Sequence, residues 1–197
     1  MEQHHGQADS TAAGRSPRER IIHAALTLVS ENGLDRVSMT DLAKAAGVSR
    51  QTLYNHYSDV GSVVADAISQ HDAEALEQLT TSLSVCPTPR DALIQLVHHF
   101  AALGSQGHYY ELEHALSAEA QEHLATYETA IRDLIRATLA EGVQSGTFRS
   151  DLDPTTDTAL VYSLLTGVTE ASARDPERVN AVVQSASRTI QAAVGRS

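Results

Sequence analysis

The sequence predicts an all-α fold of about nine helices, a small N-terminal three-helix unit followed by a larger helical domain. Three observations carry this. Apolar residues recur every three or four positions along most of the chain, as one buried face of a helix requires. No segment shows the period-two alternation of a half-buried strand, and no repeat of fixed length stands out. Proline and glycine sit between the periodic segments, where helices start and stop. The chain has 197 residues, no tryptophan and 4% aromatic residues, so its core is aliphatic and alanine-rich.

Residues 1–16 are rich in Gln, Ala, Gly, Ser and Thr without apolar periodicity, and read as a disordered arm. Arg15, Arg18 and Arg20 follow at its end and read as part of a frayed terminus rather than a DNA-touching tail. A first helix starts at Pro17, a residue suited to a first turn, and runs through Ile21, Ile22, Ala25, Leu26 and Val29 to Asn32-Gly33. Ser38-Met39-Thr40-Asp41 has the spacing of a capping box and opens a short helix to Ala46. Gly47-Val48-Ser49 breaks it, and Ser49 caps a further short helix from Arg50 to about His56.

A long helix then carries Val60, Val63, Val64, Ala67, Ile68, Leu76, Leu79 and Leu83 up to Cys86-Pro87. Helices are expected at 89–103, closed by Gly104-Ser-Gln-Gly107, then at 109–116, 120–144, 154–173 and 176–194. The expected organisation is an arm at 1–16, a first domain at 17–58 and a second at 59–197.

Charge and cysteine content exclude several classes. With one cysteine, Cys86, the chain forms no internal disulfide and no thiolate metal cluster. No apolar run approaches a membrane span of about 18 residues, and residues 1–16 have no hydrophobic stretch for a secretory signal. A soluble cytoplasmic protein without a cofactor is expected, with no membrane partner. The net charge of −11 is unlike that of a nucleic-acid binder, but its distribution is uneven. Residues 1–60 hold six Lys/Arg against seven Asp/Glu, while the remainder holds eight against eighteen. The acid lies away from the one segment whose pattern suits DNA.

That segment is the pair of short helices joined by Gly47-Val48-Ser49 behind a first helix, the layout of a helix-turn-helix. Leu42, Ala43, Val48 and Leu53 can hold the pair together, which leaves Arg50, Gln51, Thr52, Tyr54, Asn55 and His56 to face outward. Arginine can bond guanine through two N–H groups, Gln and Asn can match adenine, and Thr can offer a methyl to thymine or its hydroxyl to phosphate.

The run Ala43-Lys-Ala-Ala-Gly-Val-Ser-Arg-Gln-Thr-Leu-Tyr-Asn-His-Tyr57 closely resembles the signature of tetracycline-repressor-like (TetR) regulators. The likeness extends more loosely over residues 17–64. It implies an all-helical homodimer, a three-helix DNA-binding domain, a near-palindromic double-stranded operator and a small-molecule effector held in the larger domain. By position, Ser38 and Thr40 match the start of the phosphate-touching helix, and Arg50 to Tyr57 match the recognition helix. Tyr54 and His56 match the backbone-contacting pair, Arg50, Gln51, Thr52 and Asn55 the readers, and Tyr57 a packed aromatic. The sequence departs at Gln51, where the family often has a small residue, and at Val60, where it often has a basic one. Lys44 is a substitute candidate for the missing phosphate contact.

The resemblance further implies that the last two helices pair with their copies as a four-helix bundle. The apolar residues expected at that interface are Leu160, Val161, Leu164, Leu165, Val168, Val179, Val182, Val183 and Ile190. The middle helices concentrate polar-tipped rings among apolar neighbours, so His98, His99, Tyr110, His114, Tyr127 and Tyr162 are the candidate effector contacts. Two rivals rest on the same residues. His98, His99, His114 and Glu111 would make a metal-responsive regulator of the same fold. Glu111-Leu-Glu-His114 has the Glu-x-x-His spacing of di-iron bundle enzymes, but that scheme needs a second copy and the chain has none. No Gly-x-Ser-x-Gly elbow or phosphate-binding Gly-x-x-x-x-Gly-Lys-Ser/Thr loop is present, so no catalytic residue is expected.

Overall fold

The computed structural model describes residues 16–105 and 118–196, which contain eight α-helices. These are α1 (Pro17–Asn32), α2 (Met39–Ala45), α3 (Arg50–His56), α4 (Val60–Ser84), α5 (Pro89–Ser105), α6 (Ala118–Gln144), α7 (Pro154–Arg174) and α8 (Val179–Val194). The count is therefore eight rather than about nine; the extra segment expected at 109–116 lies outside the described residues, as do the arm at 1–15 and the side chains of Tyr110, Glu111 and His114. No strand occurs among the described residues, and Phe148 and Gly195 form a single antiparallel bridge.

The described residues pack as two units, 16–70 with 118–123, and 71–105 with 124–196. The expected boundary at 58/59 precedes α4, whereas the division by packing falls inside that helix. Val63 packs on the first core, and Leu76, Leu79 and Leu83 on the second.

Local chemistry sets the helix ends of the first unit. Ser16 caps α1 through a capping box with Glu19, whose carboxylate accepts the Ser16 N–H at 2.7 Å. Ser38 and Asp41 form the capping box expected for α2, the Asp41 N–H donating to Ser38 Oγ at 3.2 Å and the Ser38 N–H to Asp41 Oδ2 at 3.1 Å. Gly47 adopts φ +62°, the left-handed conformation that only glycine takes without cost, and turns the chain so sharply that Val48 N–H bonds Ala43 O at 3.0 Å. Ser49 then caps α3 by accepting from Thr52 N–H at 3.0 Å. Ile21, Ala25, Leu42, Ala43, Leu53 and Tyr57 meet in the core between these helices. Replacing Ser38 with alanine removes the α2 cap and should cost about 1 kcal/mol of first-unit stability, read by denaturant unfolding.

The second unit is built on α5, α7 and α8 with α6 and the end of α4. Leu93, Leu96, Phe100, Ile131, Ile135, Leu165 and Ile190 are buried in one continuous cluster. Helix α5 runs through Gly104 to Ser105, within the Gly104–Gly107 run expected to close it; residues 106 and 107 lie outside the described residues. Gly104 is buried where α5 crosses α7: a Cβ there would lie 2.2 Å from the Thr169 carbonyl oxygen, and the Thr169 hydroxyl donates to Phe100 O at 3.0 Å. Helix α8 starts at Val179, not at Pro176, because residues Pro176–Arg178 form a tighter turn in which Arg178 N–H bonds Asp175 O. The chain after α6 is tied to the end of α8 by Arg149, whose N–H bonds Val194 O at 3.0 Å and whose Nε bonds Ala193 O at 2.9 Å.

Candidate DNA interface and effector site

Helix α3 presents a polar surface because one residue anchors it. Leu53 is fully buried, which places Gln51 and Asn55 on the opposite side of the helix and Tyr54 on its flank, while Arg50 and His56, one turn to either side of Leu53, lie at the two ends of α3. Arg50, Gln51, Asn55 and His56 are exposed, and Tyr54 is 55% exposed although it is a large ring. Thr52 is half-buried, with its hydroxyl 2.8 Å from Ser49 Oγ, so it completes the cap more than it faces outward. Gln51 Nε2 donates to Asn55 Oδ1 at 2.9 Å. This bond orients the two amides and leaves the Asn55 NH₂ and the Gln51 carbonyl as a donor and an acceptor, the complement of an adenine edge.

Ser38, Thr40 and Lys44 are all exposed on α2. The Ser38 hydroxyl is engaged with Asp41, whose carboxyl is held below the usual range first by that hydroxyl and then by the Ser38 N–H. Thr40 and Lys44 are thus the more available pair for phosphate.

Tyr57 is buried as expected, but its hydroxyl reaches out of the core to donate to Asp66 Oδ2 at 2.5 Å. Arg18 Nε donates to the same oxygen at 2.8 Å, and a second guanidinium nitrogen meets Asp66 Oδ1. Burial alone would raise the Asp66 pKa; the hydrogen bonds from Arg18 and Tyr57 outweigh it and lower it. The Tyr57 hydroxyl is pushed up, first by burial and then by this carboxylate. The network joins α1, the end of α3 and α4. Sequence reasoning missed it, since 48 residues separate Arg18 from Asp66 and no short-range signal links them.

In the second unit, His99 and Tyr127 come together, His99 Nε2 lying 2.7 Å from Tyr127 Oη. Burial pushes the His99 pKa down to about 4, helped by nearby His71, and pushes the Tyr127 hydroxyl up, helped by the Asp72 charge. Tyr162 meets Phe100 edge to face at 6.1 Å, and the Arg132 guanidinium sits 4.0 Å over the Tyr162 ring while bonded to Glu128 at 2.7 Å. Arg132 and Phe100 are members of the cluster that a search for His and Tyr overlooked. His98 is exposed, so it does not join His99 inside; consecutive helix residues point about 100° apart. With Tyr110 and His114 outside the described residues, three of the six expected contacts, His99, Tyr127 and Tyr162, are placed in one region. Among the described residues no three His, Cys, Asp or Glu side chains converge as a metal site. No described helix is long and apolar enough to cross a membrane.

The expected dimer residues divide into two groups. Val161, Leu165, Val168, Val183 and Ile190 are buried in the second unit's own core, and of these Val168 also lines an open groove between α7 and α8. Leu160 is 63% exposed, and Leu164, Val179 and Val182 are half-buried at the margin.

Comparison with known proteins agrees with this geometry. Residues 21–59 match the family described as bacterial regulatory proteins, tetR family, and residues 90–170 match the tetracyclin repressor-like C-terminal domain. The chain is 28% identical over 157 residues to the HTH-type transcriptional repressor KstR2 of Rhodococcus jostii, covering 74% of each chain. Its fold resembles that of the transcriptional regulator FadR from Bacillus subtilis, solved in complex with stearoyl-CoA (TM-score 0.71, 18% identity, 85% of this chain and 96% of that one). It also resembles a transcriptional regulator from Saccharomonospora viridis solved with choline (TM-score 0.77, 20% identity, 91% and 98%). A helix-turn-helix with an outward polar recognition helix, followed by a matching C-terminal helical domain, places this chain in the tetR family of bacterial regulatory proteins.

Proposed function

We propose that the chain is a homodimeric cytoplasmic repressor that grips a near-palindromic operator through α2 and α3 and lets go when a small effector binds in the second unit. The observation that carries this reading is the set of exposed polar side chains Arg50, Gln51, Tyr54, Asn55 and His56 around a short helix pinned by Leu53. A repressor is supported by the relative that bears that name, and an effector by the ligand complexes of proteins with this fold. His99, Tyr127 and Tyr162 with Phe100 and Arg132 suit an effector with an apolar body and a hydrogen-bonding oxygen. Helix α4 belongs to both units along its length, so a change at its second-unit end can reach the DNA-binding end. Two recognition helices must meet major grooves about 34 Å apart, so a small change in their separation is enough to release DNA.

A surface that suits a second copy is the groove of about 320 Å³ between α7 and α8, lined by Leu164, Gly167, Val168, Val182, Ser185 and Ala186. Its small residues allow helices to approach closely.

Selection of duplexes from a random library by the full chain tests the reading. Two related half-sites about one helical turn apart are expected. Replacing Gln51 or Asn55 with alanine should change the preferred bases, by about 1–3 kcal/mol at the affected position, whereas Tyr54→Ala or His56→Ala should weaken all sequences alike. No enrichment, or a uniform loss for all four variants, would reject the assignment.

A further inference from the structure

Among described residues of the first unit, five Lys or Arg side chains are present: Arg18, Arg20, Arg36, Lys44 and Arg50. Arg18 is held by Asp66 and Tyr57, and Val60 offers no charge at the start of α4. A DNA-binding unit so poor in cations must use those that remain, and none of the other four makes an ion pair with a described residue. Arg20 differs from the rest. Its Nε is buried, yet it has no hydrogen-bond partner among the described residues. It borders an open groove of about 450 Å³ between α1 and the turn that precedes α3, with His23 and Thr27 beside it and Ala46 and Gly47 opposite. The Thr27 hydroxyl is turned back to the His23 carbonyl at 3.0 Å, so Arg20 and His23 supply the donors. Nothing lies within 4 Å of where a Gly47 Cβ would be, which leaves that wall open to a close backbone approach three residues before Arg50.

We propose that Arg20, with His23 beside it, holds a phosphate of the DNA backbone in this groove and extends the interface from α3 onto α1. The proposal rests on the DNA-binding reading above and adds a contact that the helix-turn-helix pattern does not contain. A phosphate oxygen in the groove would add charge-assisted bonds to the guanidinium, whose planar fork suits two oxygens at once, and the buried Nε would share in them only on a turn of the side chain towards the groove. The competing account is that Arg20 only balances the negative C-terminal end of α2. The carbonyls of Leu42, Ala43 and Lys44 already accept N–H groups from Ala46, Val48 and Gly47, so the turn itself satisfies that end. The two accounts differ in one readout: a structural counter-charge changes folding stability, whereas a phosphate contact changes the salt dependence of binding.

The experiment uses the full chain, a duplex that it has itself selected from a random library, and a scrambled duplex of the same length. Arg20→Gln should reduce the slope of log K against log salt by about 0.9, so that affinity falls about 3.5-fold less between 50 and 200 mM salt than for the wild type. It should weaken both duplexes by the same factor, and Arg20→Lys should restore the slope. Melting of the DNA-free chain reads any structural share separately. His23 is exposed, so His23→Asp keeps the fold and should weaken low-salt binding; it carries the test if Arg20→Gln does not fold. An unchanged slope in folded Arg20→Gln, or unchanged low-salt affinity in His23→Asp, overturns the proposal. If the wild-type chain selects no duplex, the DNA-binding reading falls and this contact falls with it.

Discussion

Gly104→Ala is expected to destabilise the second unit by about 2 kcal/mol, although alanine is the better helix former. Two effects of opposite sign meet at this position. Exchanging a glycine in the last turn of a helix for alanine favours the helix by at most about 1 kcal/mol, because the unfolded chain loses some of its freedom. Against this, the new Cβ would lie 2.2 Å from the Thr169 carbonyl oxygen and 2.9 Å from Ser172 Cβ. Neither neighbour can give way cheaply: the first is backbone, and Ser172 is fully buried. The helices must part, which strains the Thr169 to Phe100 hydrogen bond between them, and overpacking of this kind costs about 3 kcal/mol. Steric cost therefore wins. Gly167 supplies the contrast on α7, since it is exposed and a Cβ there would meet nothing within 4 Å. Gly167→Ala should leave the stability of the second unit itself unchanged or raise it, any loss being confined to association with a second copy. Denaturant midpoints of the two variants check this, and equal destabilisation of both would mean that the α5–α7 crossing is looser than described.

His99 should make the second unit sensitive to acid in a defined window. In the unfolded chain an imidazole titrates near 6.5, while burial holds this one down to about 4 in the fold. Protonation is therefore resisted by the folded state and accepted by the unfolded one. The contribution is fully present above about pH 6.5 and is lost progressively as pH falls towards 4, where the folded protein takes up the proton too. Loss across the whole window is on the order of 3 kcal/mol. Substituting His99 with glutamine keeps a hydrogen-bonding group near Tyr127 but removes the titration. Its stability should fall less steeply between pH 6.5 and 4 than that of the wild type, even if it is lower at neutral pH. Unfolding curves at several pH values decide the matter, and parallel profiles for the two proteins would show that His99 is not the responsible group.

Much of the candidate DNA interface was legible because its signals are short-ranged. The Ser38-to-Asp41 capping box, the Gly47 turn and the Ser49 cap each act within four residues, and Leu53, the one apolar aliphatic residue of α3, says which side of that helix faces in. The second unit was less legible. Helix α7 carries apolar or small residues on most of its surface, so spacing alone did not tell the face buried against α5 from the face open to a partner. Five residues expected to meet a second copy are thus buried in the core, Val168 among them also lining the open groove, where Gly167 and Ser185 join it.

By itself the sequence determined an all-helical chain, the ends of its first three helices and the polar face of α3. Those features depend on hydrogen bonds and backbone conformations among near neighbours, which residue identity decides. Tertiary structure alone decided that His99 meets Tyr127 from 28 positions away, that Asp66 binds Arg18 from 48, and that Gly104 serves a helix crossing. These contacts are chosen by how helices pack. One helix offers several faces of similar polarity, and only the fit of all of them together selects which is buried.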